Sequence, residues 1–290
     1  MDATTPRTIG FVGLGSMGRP IATNAAAAGF DLVCFDAAGT AERLPDGAKP
    51  ADNAADVFAR SDTTFFSVPD GAASTALVDE LVRAQRRRVT TIIDLSTVGP
   101  PIARECAARL EPLSVTYCDG PVSGGVAGAR AGTISLIFAG PAAVFDEHRS
   151  LLDAIAGNVF HVGERAGQGQ AMKLLNNFLS AAALVATSEA VAFGAAEGLD
   201  MQLMLDVLNV SSGRNTATAD KFPNRVITGT FDTGFRTQLM NKDVALFLES
   251  AVAAGTSAVV ADAVGRQWAA AHEAMPGSDF SEIWKFVSGI

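Results

Sequence analysis

TIGFVGLGSMGRPIATN, Thr8–Asn24, is the stretch that decides the fold. TIGFV reads as a short buried strand, RPIATNAAAAG (19–29) as a helix, and the turn between them carries Gly13, Gly15 and Gly18 in G-x-G-x-x-G spacing. Each glycine has a physical task in such a turn. Gly13 permits the tight bend, Gly15 lets an anionic group approach the backbone, and Gly18 lets helix and strand pack closely. The helix start offers free N–H groups and the positive end of its dipole to phosphate. A second strand, DLVCF (31–35), ends at Asp36, where a carboxylate can accept hydrogen bonds from ribose hydroxyls. A glycine turn or a surface acid alone is common. Together they read as a dinucleotide site, with Gly13, Leu14, Gly15, Ser16, Met17 and Gly18 around the pyrophosphate and Asp36 at the ribose.

Working outward, the same rhythm continues. TTFFSV (63–68), TIIDL (91–95), VTYCD (115–119), TISLIFA (133–139) and NVFHV (158–162) read as further strands, with helical segments such as PPIARECAARL (100–110) between them. Most are continuous apolar runs, as expected of strands covered on both faces. The alternation predicts an α/β domain over 1–163, a Rossmann-type doubly wound and mainly parallel sheet. After His161 the rhythm stops. A long helix from about Gly167 to Glu197, then MQLMLDVLNVSSG, a polar loop RNTATADKF, FRTQLMNKDVALFLESAVAAG and SAVVADAVGRQWAAAHEAM predict an all-α domain over 164–290.

The totals narrow the function. Of 290 residues, 48% are hydrophobic and 18% charged, and the formal net charge is -9, which argues against nucleic acid or anionic membrane as a partner. An anionic ligand must therefore be held by local groups. Cys34, Cys106 and Cys118 are widely spaced and read as small buried hydrophobes rather than a disulfide or zinc framework. His148, His161 and His272 share no motif, so neither a metal site nor a Ser-His-Asp triad is expected. The N-terminus shows no signal segment, and the uncharged run Leu174–Ser188 is too short to span a bilayer, so the expected location is cytoplasmic.

GQGQAMKLLNNFL, Gly167–Leu179, sets one lysine and two asparagines in an otherwise apolar helix. Residues four apart share a helix face, so Lys173 and Asn177 project together. Burying a lysine is costly without a partner, a ligand or a lowered pKa, although a packed stem with its ammonium in water would also account for it.

Four segments resemble the β-hydroxyacid dehydrogenase family, the 3-hydroxyisobutyrate dehydrogenase and tartronate semialdehyde reductase type: GFVGLGSMGRPIATN (10–24), YCDGPVSGGVAGARAGT (117–133), GQGQAMKLLNN (167–177) and GFRTQLMNKDVALFLES (234–250). They stand in the family's order and cover nearly the whole chain. The resemblance implies hydride transfer between a nicotinamide dinucleotide and a small hydroxy acid or its semialdehyde. It gives Lys173 the role of general acid–base, its pKa lowered by desolvation, and makes Asn177 a substrate-orienting group. Ser123, Gly124 and Gly125 would hold the substrate carboxylate. Val68, Pro69, Ser96 and Thr97 would meet the cofactor, Thr97 near the nicotinamide ribose, and Lys242 would reach it from the helical domain. SGG also reads as a plain turn, Ser96 and Thr97 as a cap before Pro100, and Lys242 as a helix residue paired with Asp243 or Glu249. The resemblance further implies a homodimer or homotetramer. An imine reductase or a non-catalytic dinucleotide sensor on the same fold is the alternative, and Lys173 speaks against both. A 6-phosphogluconate dehydrogenase resembles a much longer chain.

FDAAGTAERL favours NAD over NADP, because a carboxylate at the ribose repels a 2′-phosphate and the nearest base, Arg43, falls seven residues on, in an expected helix. Which hydroxy acid is used is left open; SSGRNTATADKF (211–222) and Phe231 or Phe235 are the candidates for selecting it.

Overall fold

The computed structural model describes residues 7–289; residues 1–6 and 290, the outer ends of the two expected domains, lie outside it. The chain divides into two packed units, Met1–Lys173 and Leu174–Ile290.

Among the described residues the first unit is built on nine strands: β1 (Thr8–Val12), β2 (Asp31–Phe35), β3 (Lys49–Pro50), β4 (Thr63–Phe66), β5 (Thr91–Asp94), β6 (Thr116–Asp119), β7 (Val122–Ser123), β8 (Ser135–Ala139) and β9 (Asn158–Gly163). They form one sheet in the order β3-β2-β1-β4-β5-β6-β8-β7, with β9 also on β8. Strands β1 to β6 are parallel. The order reverses beside β1, so the carboxyl ends of β1 and β4 open at a switch point, where open α/β sheets bind ligands. The chain turns back at β8, which pairs antiparallel with β6 and β7.

The continuous apolar runs follow from burial on both faces. Phe65 joins the core made with α1 (Gly18–Ala27) and α6 (Ala142–Ile155), which contains Phe11, Ile21, Leu32, Phe138 and Leu152. Its neighbour Phe66 joins the opposite core, with Val57 and Phe58 of α2 (Ala54–Arg60), Leu81 of α3 (Gly71–Arg83) and Leu110 of α4 (Pro100–Leu110). Successive residues of one strand thus serve two layers. A short α5 (Gly125–Ala131) follows β7. All three cysteines are buried and free, and burial pushes each thiol up to about 12.

The second unit is helical: most of α7 (Gln168–Ala196), then α8 (Met201–Asn209), α9 (Thr237–Ala253), α10 (Val259–Ala274) and α11 (Ile283–Ser288). Leu184, Val185, Leu205, Phe222, Val244, Trp268 and Trp284 form its core. By length and composition α7 could cross a membrane, which the run Leu174–Ser188 alone could not, yet it also carries the buried polar residues Gln170, Lys173, Asn177, Thr187 and Ser188.

One local expectation is corrected. RNTATADKF is not a loop: Ala217–Val226 winds as a π-helical segment. The Asn215 side chain accepts the N–H groups of Ala217 and Thr218, starting the turn, and Ala217, Thr218, Phe222 and Val226 are buried on one face. Pro223 lies inside it and has no N–H to give. Polar composition hid a segment that buries Phe222 and Val226 while Ala219 stays exposed.

Candidate active site

The glycine turn follows β1 as its spacing predicts. Gly13 has φ +96°, and a Cβ there would collide with the Ser67 carbonyl; one on Gly18 would collide with the Gly13 carbonyl. Gly15 has nothing within 4 Å of a Cβ position. Two glycines are therefore required by packing, and the middle one leaves open space over the backbone. A cavity of about 560 Å³ adjoins it, lined by Leu14, Gly15, Ser16, Arg19, Arg43 and Arg130 among others. An open cradle at a helix start, with three guanidiniums on its wall, fits a dinucleotide's phosphates.

Asp36 stands at the end of β2, its side chain 11% exposed. Its carboxylate accepts the Leu14 N–H at 2.6 Å and the Ala38 N–H at 2.8 Å, joining the second strand to the glycine turn. Arg43 donates to the same carboxylate at 2.6 Å. This corrects the expectation that Arg43 already lies in the next helix. The chain from 41 to 43 turns instead, and the Asp36 N–H donates to Thr40 Oγ1, which brings Arg43 back. Of roughly four acceptor positions on a carboxylate, three are engaged.

Beyond β4 and β5 lie the next predicted residues. The Val68 N–H donates to Ser96 Oγ at 2.9 Å, joining the two loops, with Pro69 next to Val68 and Thr97 next to Ser96. Beneath them Asp94 is fully enclosed and accepts from Ser74 Oγ (2.7 Å), the Ser96 N–H (2.8 Å) and the Tyr117 hydroxyl (3.0 Å). Desolvation raises its pKa, and these hydrogen bonds oppose the rise. Ser96 is thus held by its hydroxyl and its N–H, which a simple helix cap would not require.

Ser123 ends β7 opposite Ser135. Gly124 and Gly125 follow with φ +133° and +67°, conformations that only glycine adopts freely, so SGG is a required turn that leads into α5.

Lys173 is 7% exposed and lies in the second turn of α7. The first turn is anchored to β6: Asp119 accepts the N–H groups of Gly167 (2.7 Å) and Gln170 (2.8 Å). A Cβ on Gly169 would come 2.6 Å from the Ile137 carbonyl oxygen and 2.8 Å from Asp119 Oδ2, so that turn needs glycine for close approach. Asp119 is pushed up to about 6 by desolvation, against those two N–H bonds. Neither Asp119 nor Gln170 was singled out from sequence; an acid closing a strand 48 residues before a helix start carries no local signal.

Within the second unit, Asn177 Nδ2 donates to Asp243 Oδ2 at 2.6 Å, and the Lys242 ammonium lies 3.4 Å from Asp243 Oδ1. Asn177 and Asp243 are buried. The pairing of Lys242 with Asp243 is the one its sequence neighbourhood allowed. Phe222, in the stretch weighed for substrate choice, is fully buried, and Phe231 and Phe235 pack against the helical core. His148 is enclosed, bonded to Thr63 Oγ1, and burial lowers its pKa.

The doubly wound sheet, glycine turn and acid at the end of β2 define a dinucleotide-binding protein of the Rossmann type. A family model for the NAD-binding domain of 6-phosphogluconate dehydrogenase matches residues 8–163, and one for the NAD-binding domain of NADP-dependent 3-hydroxyisobutyrate dehydrogenase matches 167–287. The chain is 36% identical to a 3-hydroxyisobutyrate dehydrogenase of Pseudomonas aeruginosa, over 97% of this chain and 98% of the relative. An NAD-dependent L-serine dehydrogenase of the same organism is 34% identical over 87% of each. A solved Mycobacterium tuberculosis 3-hydroxyisobutyrate dehydrogenase with L-serine superposes with TM-score 0.90 at 31% identity, covering 98% of this chain and 99% of that one. The chain belongs to the β-hydroxyacid dehydrogenase family.

Proposed function

We propose that the protein oxidises a 2-substituted 3-hydroxypropanoate, HOCH2–CHR–COO⁻, to its semialdehyde with NAD, Lys173 serving as general base. The observation that carries the reading is a lysine nearly closed to solvent in the second turn of α7, directly after the turn that Asp119 ties to the sheet. The substrates in the two relatives' names, 3-hydroxyisobutyrate and L-serine, share that skeleton and differ in R, methyl against ammonium.

The hydride acceptor for the alcohol carbon would be supplied by NAD when bound. The chain's own groups do the rest. The N–H groups of the glycine turn and the start of α1 would hold the NAD pyrophosphate, and Asp36 would accept from its adenosine ribose. Ser123 Oγ and the backbone at Gly124 and Gly125 hold the carboxylate. Lys173 Nζ takes the hydroxyl proton, and in the reverse direction returns it to the alkoxide oxygen. Asn177, one turn on from Lys173, orients the hydroxyl, its amide set by Asp243. A homodimer or homotetramer is part of the same proposal, supported by apolar side chains left exposed on α7, α8 and α10, among them Leu179, Phe193, Val207 and Val260.

The test is turnover of a panel of such acids, R being methyl, ammonium, hydroxyl or hydrogen, with NAD and with NADP, followed by reduced-nicotinamide absorbance. Turnover confined to one or two of these acids supports the reading. Cofactor binding with no turnover of any would leave a sensor, and reduction of imines instead would leave an imine reductase.

A further inference from the structure

We infer that Gln170 is a positioning residue for the reaction, holding the loop that carries Thr97 and the helix that carries Lys173 in one fixed relation. The inference rests on the proposed roles of Lys173 and Thr97. Gln170 is fully enclosed in the first turn of α7. Its Oε1 accepts the N–H groups of Val98 (3.0 Å) and Gly99 (3.2 Å), and its Nε2 donates to the Ser96 carbonyl at 2.9 Å. One side chain thus satisfies three backbone groups of the loop between β5 and α4. Two of them, the Ser96 carbonyl and the Val98 N–H, flank Thr97 on either side.

The Leu95 N–H still donates to the Phe66 carbonyl at 2.8 Å, and beyond it the loop is tied by side chains. Gly99 sits at φ +83°, and the chain leaves the sheet after Asp94. Its near end is fixed by Ser96, through Val68 and Asp94, and its far end by Gln170. The backbone of Gln170 is itself fixed, because its N–H donates to Asp119 at 2.8 Å. Lys173 follows three residues later on the same helix, about 4.5 Å along its axis. No freely rotating backbone separates the clamp from the Lys173 Cα. Breaking the clamp would let the Thr97 loop drift against the helix, and a misplacement of ~1 Å can cost about 10²-fold in rate.

A purely architectural amide would give a different result. Its loss would lower stability but leave the surviving folded enzyme's kcat and isotope effect alone. The test compares wild type, Gln170→Ala, Gln170→Glu and Lys173→Ala in three measurements: kcat, the primary deuterium isotope effect on kcat with the hydroxy acid deuterated at the reacting carbon, and the Kd for ADP, which does not reach the nicotinamide end. In Gln170→Ala we expect ADP affinity within about threefold of wild type, kcat down roughly 10- to 100-fold, and a raised isotope effect as hydride transfer becomes limiting. Protonated Glu has the amide's shape and can donate to Ser96. The ratio of Gln170→Glu to wild-type kcat should therefore rise as pH falls. That series decides the matter if Gln170→Ala does not fold. Wild-type kcat and isotope effect in a Gln170→Ala enzyme that binds ADP would overturn the inference, as would a flat ratio for Gln170→Glu. Full turnover in Lys173→Ala would instead overturn the proposed function itself.

Discussion

The carboxyl group of Asp119 makes the thermodynamics of the α7 anchor measurable. In the unfolded chain it titrates at 3.8; in the fold, enclosed at the end of β6, it is pushed up to about 6. Desolvation drives the rise, and the N–H bonds from Gly167 and Gln170 limit it. Between those two values the folded state holds a proton that the unfolded chain has released. Its contribution to stability is therefore fully present below 3.8 and is lost as pH rises through about 6. The displacement is about 2 units at 1.36 kcal/mol each, or ~3 kcal/mol in total. Asp119→Asn removes the titration and keeps an oxygen to accept at least one of the two N–H groups. Urea unfolding of both proteins at constant ionic strength, from about pH 4 to pH 7, gives the difference in unfolding free energy at each pH. That difference should shift toward the variant by most of the ~3 kcal/mol, with the steepest change between about pH 4 and pH 6. Parallel curves would refute the reasoning. A shift of opposite sign would mean that the hydrogen bonds, and not burial, govern this carboxyl.

Further outcomes follow from the site. Lys173→Ala should lower kcat by roughly 10²–10⁴-fold while ADP still binds, checked by steady-state kinetics beside an ADP titration. Ser123→Ala should raise KM for the hydroxy acid by the equivalent of ~1–3 kcal/mol, whereas Asn177→Ala should change KM and kcat together; a loss of NAD affinity in both would place them on the wrong ligand. NAD should be preferred to NADP by at least about tenfold in kcat/KM, a gap of ~1.4 kcal/mol, and Asp36→Asn with Ala37→Arg should narrow or reverse it. Because Arg43 already donates to Asp36, Arg43→Ala should widen the gap, and the same kinetics with both cofactors read it.

Much of this protein is local, and the local part was legible. Periodicity and turn chemistry act over a few residues, so β1, the glycine turn, α1, the acid after β2 and the long helix with Lys173 and Asn177 could all be read in order along the chain. The doubly wound, mainly parallel sheet followed from the alternation of apolar runs with helices. What only the tertiary structure decided are the meetings of polar groups distant in sequence. Gln170 reaches the loop at Ser96–Gly99 more than 70 residues away, and Asp119 reaches Gly167 across 48. Arg43 returns to Asp36 because turns replace the helix its sequence suggested. The two-residue strands β3 and β7 exist through their neighbours, being too short to show a period. The π-helical segment Ala217–Val226 owes its shape to a buried face that a polar composition conceals. The physical reason is common to all of them. A buried polar group must find a partner wherever the fold supplies one, so its identity is written in the packing and not in the spacing of residues along the chain.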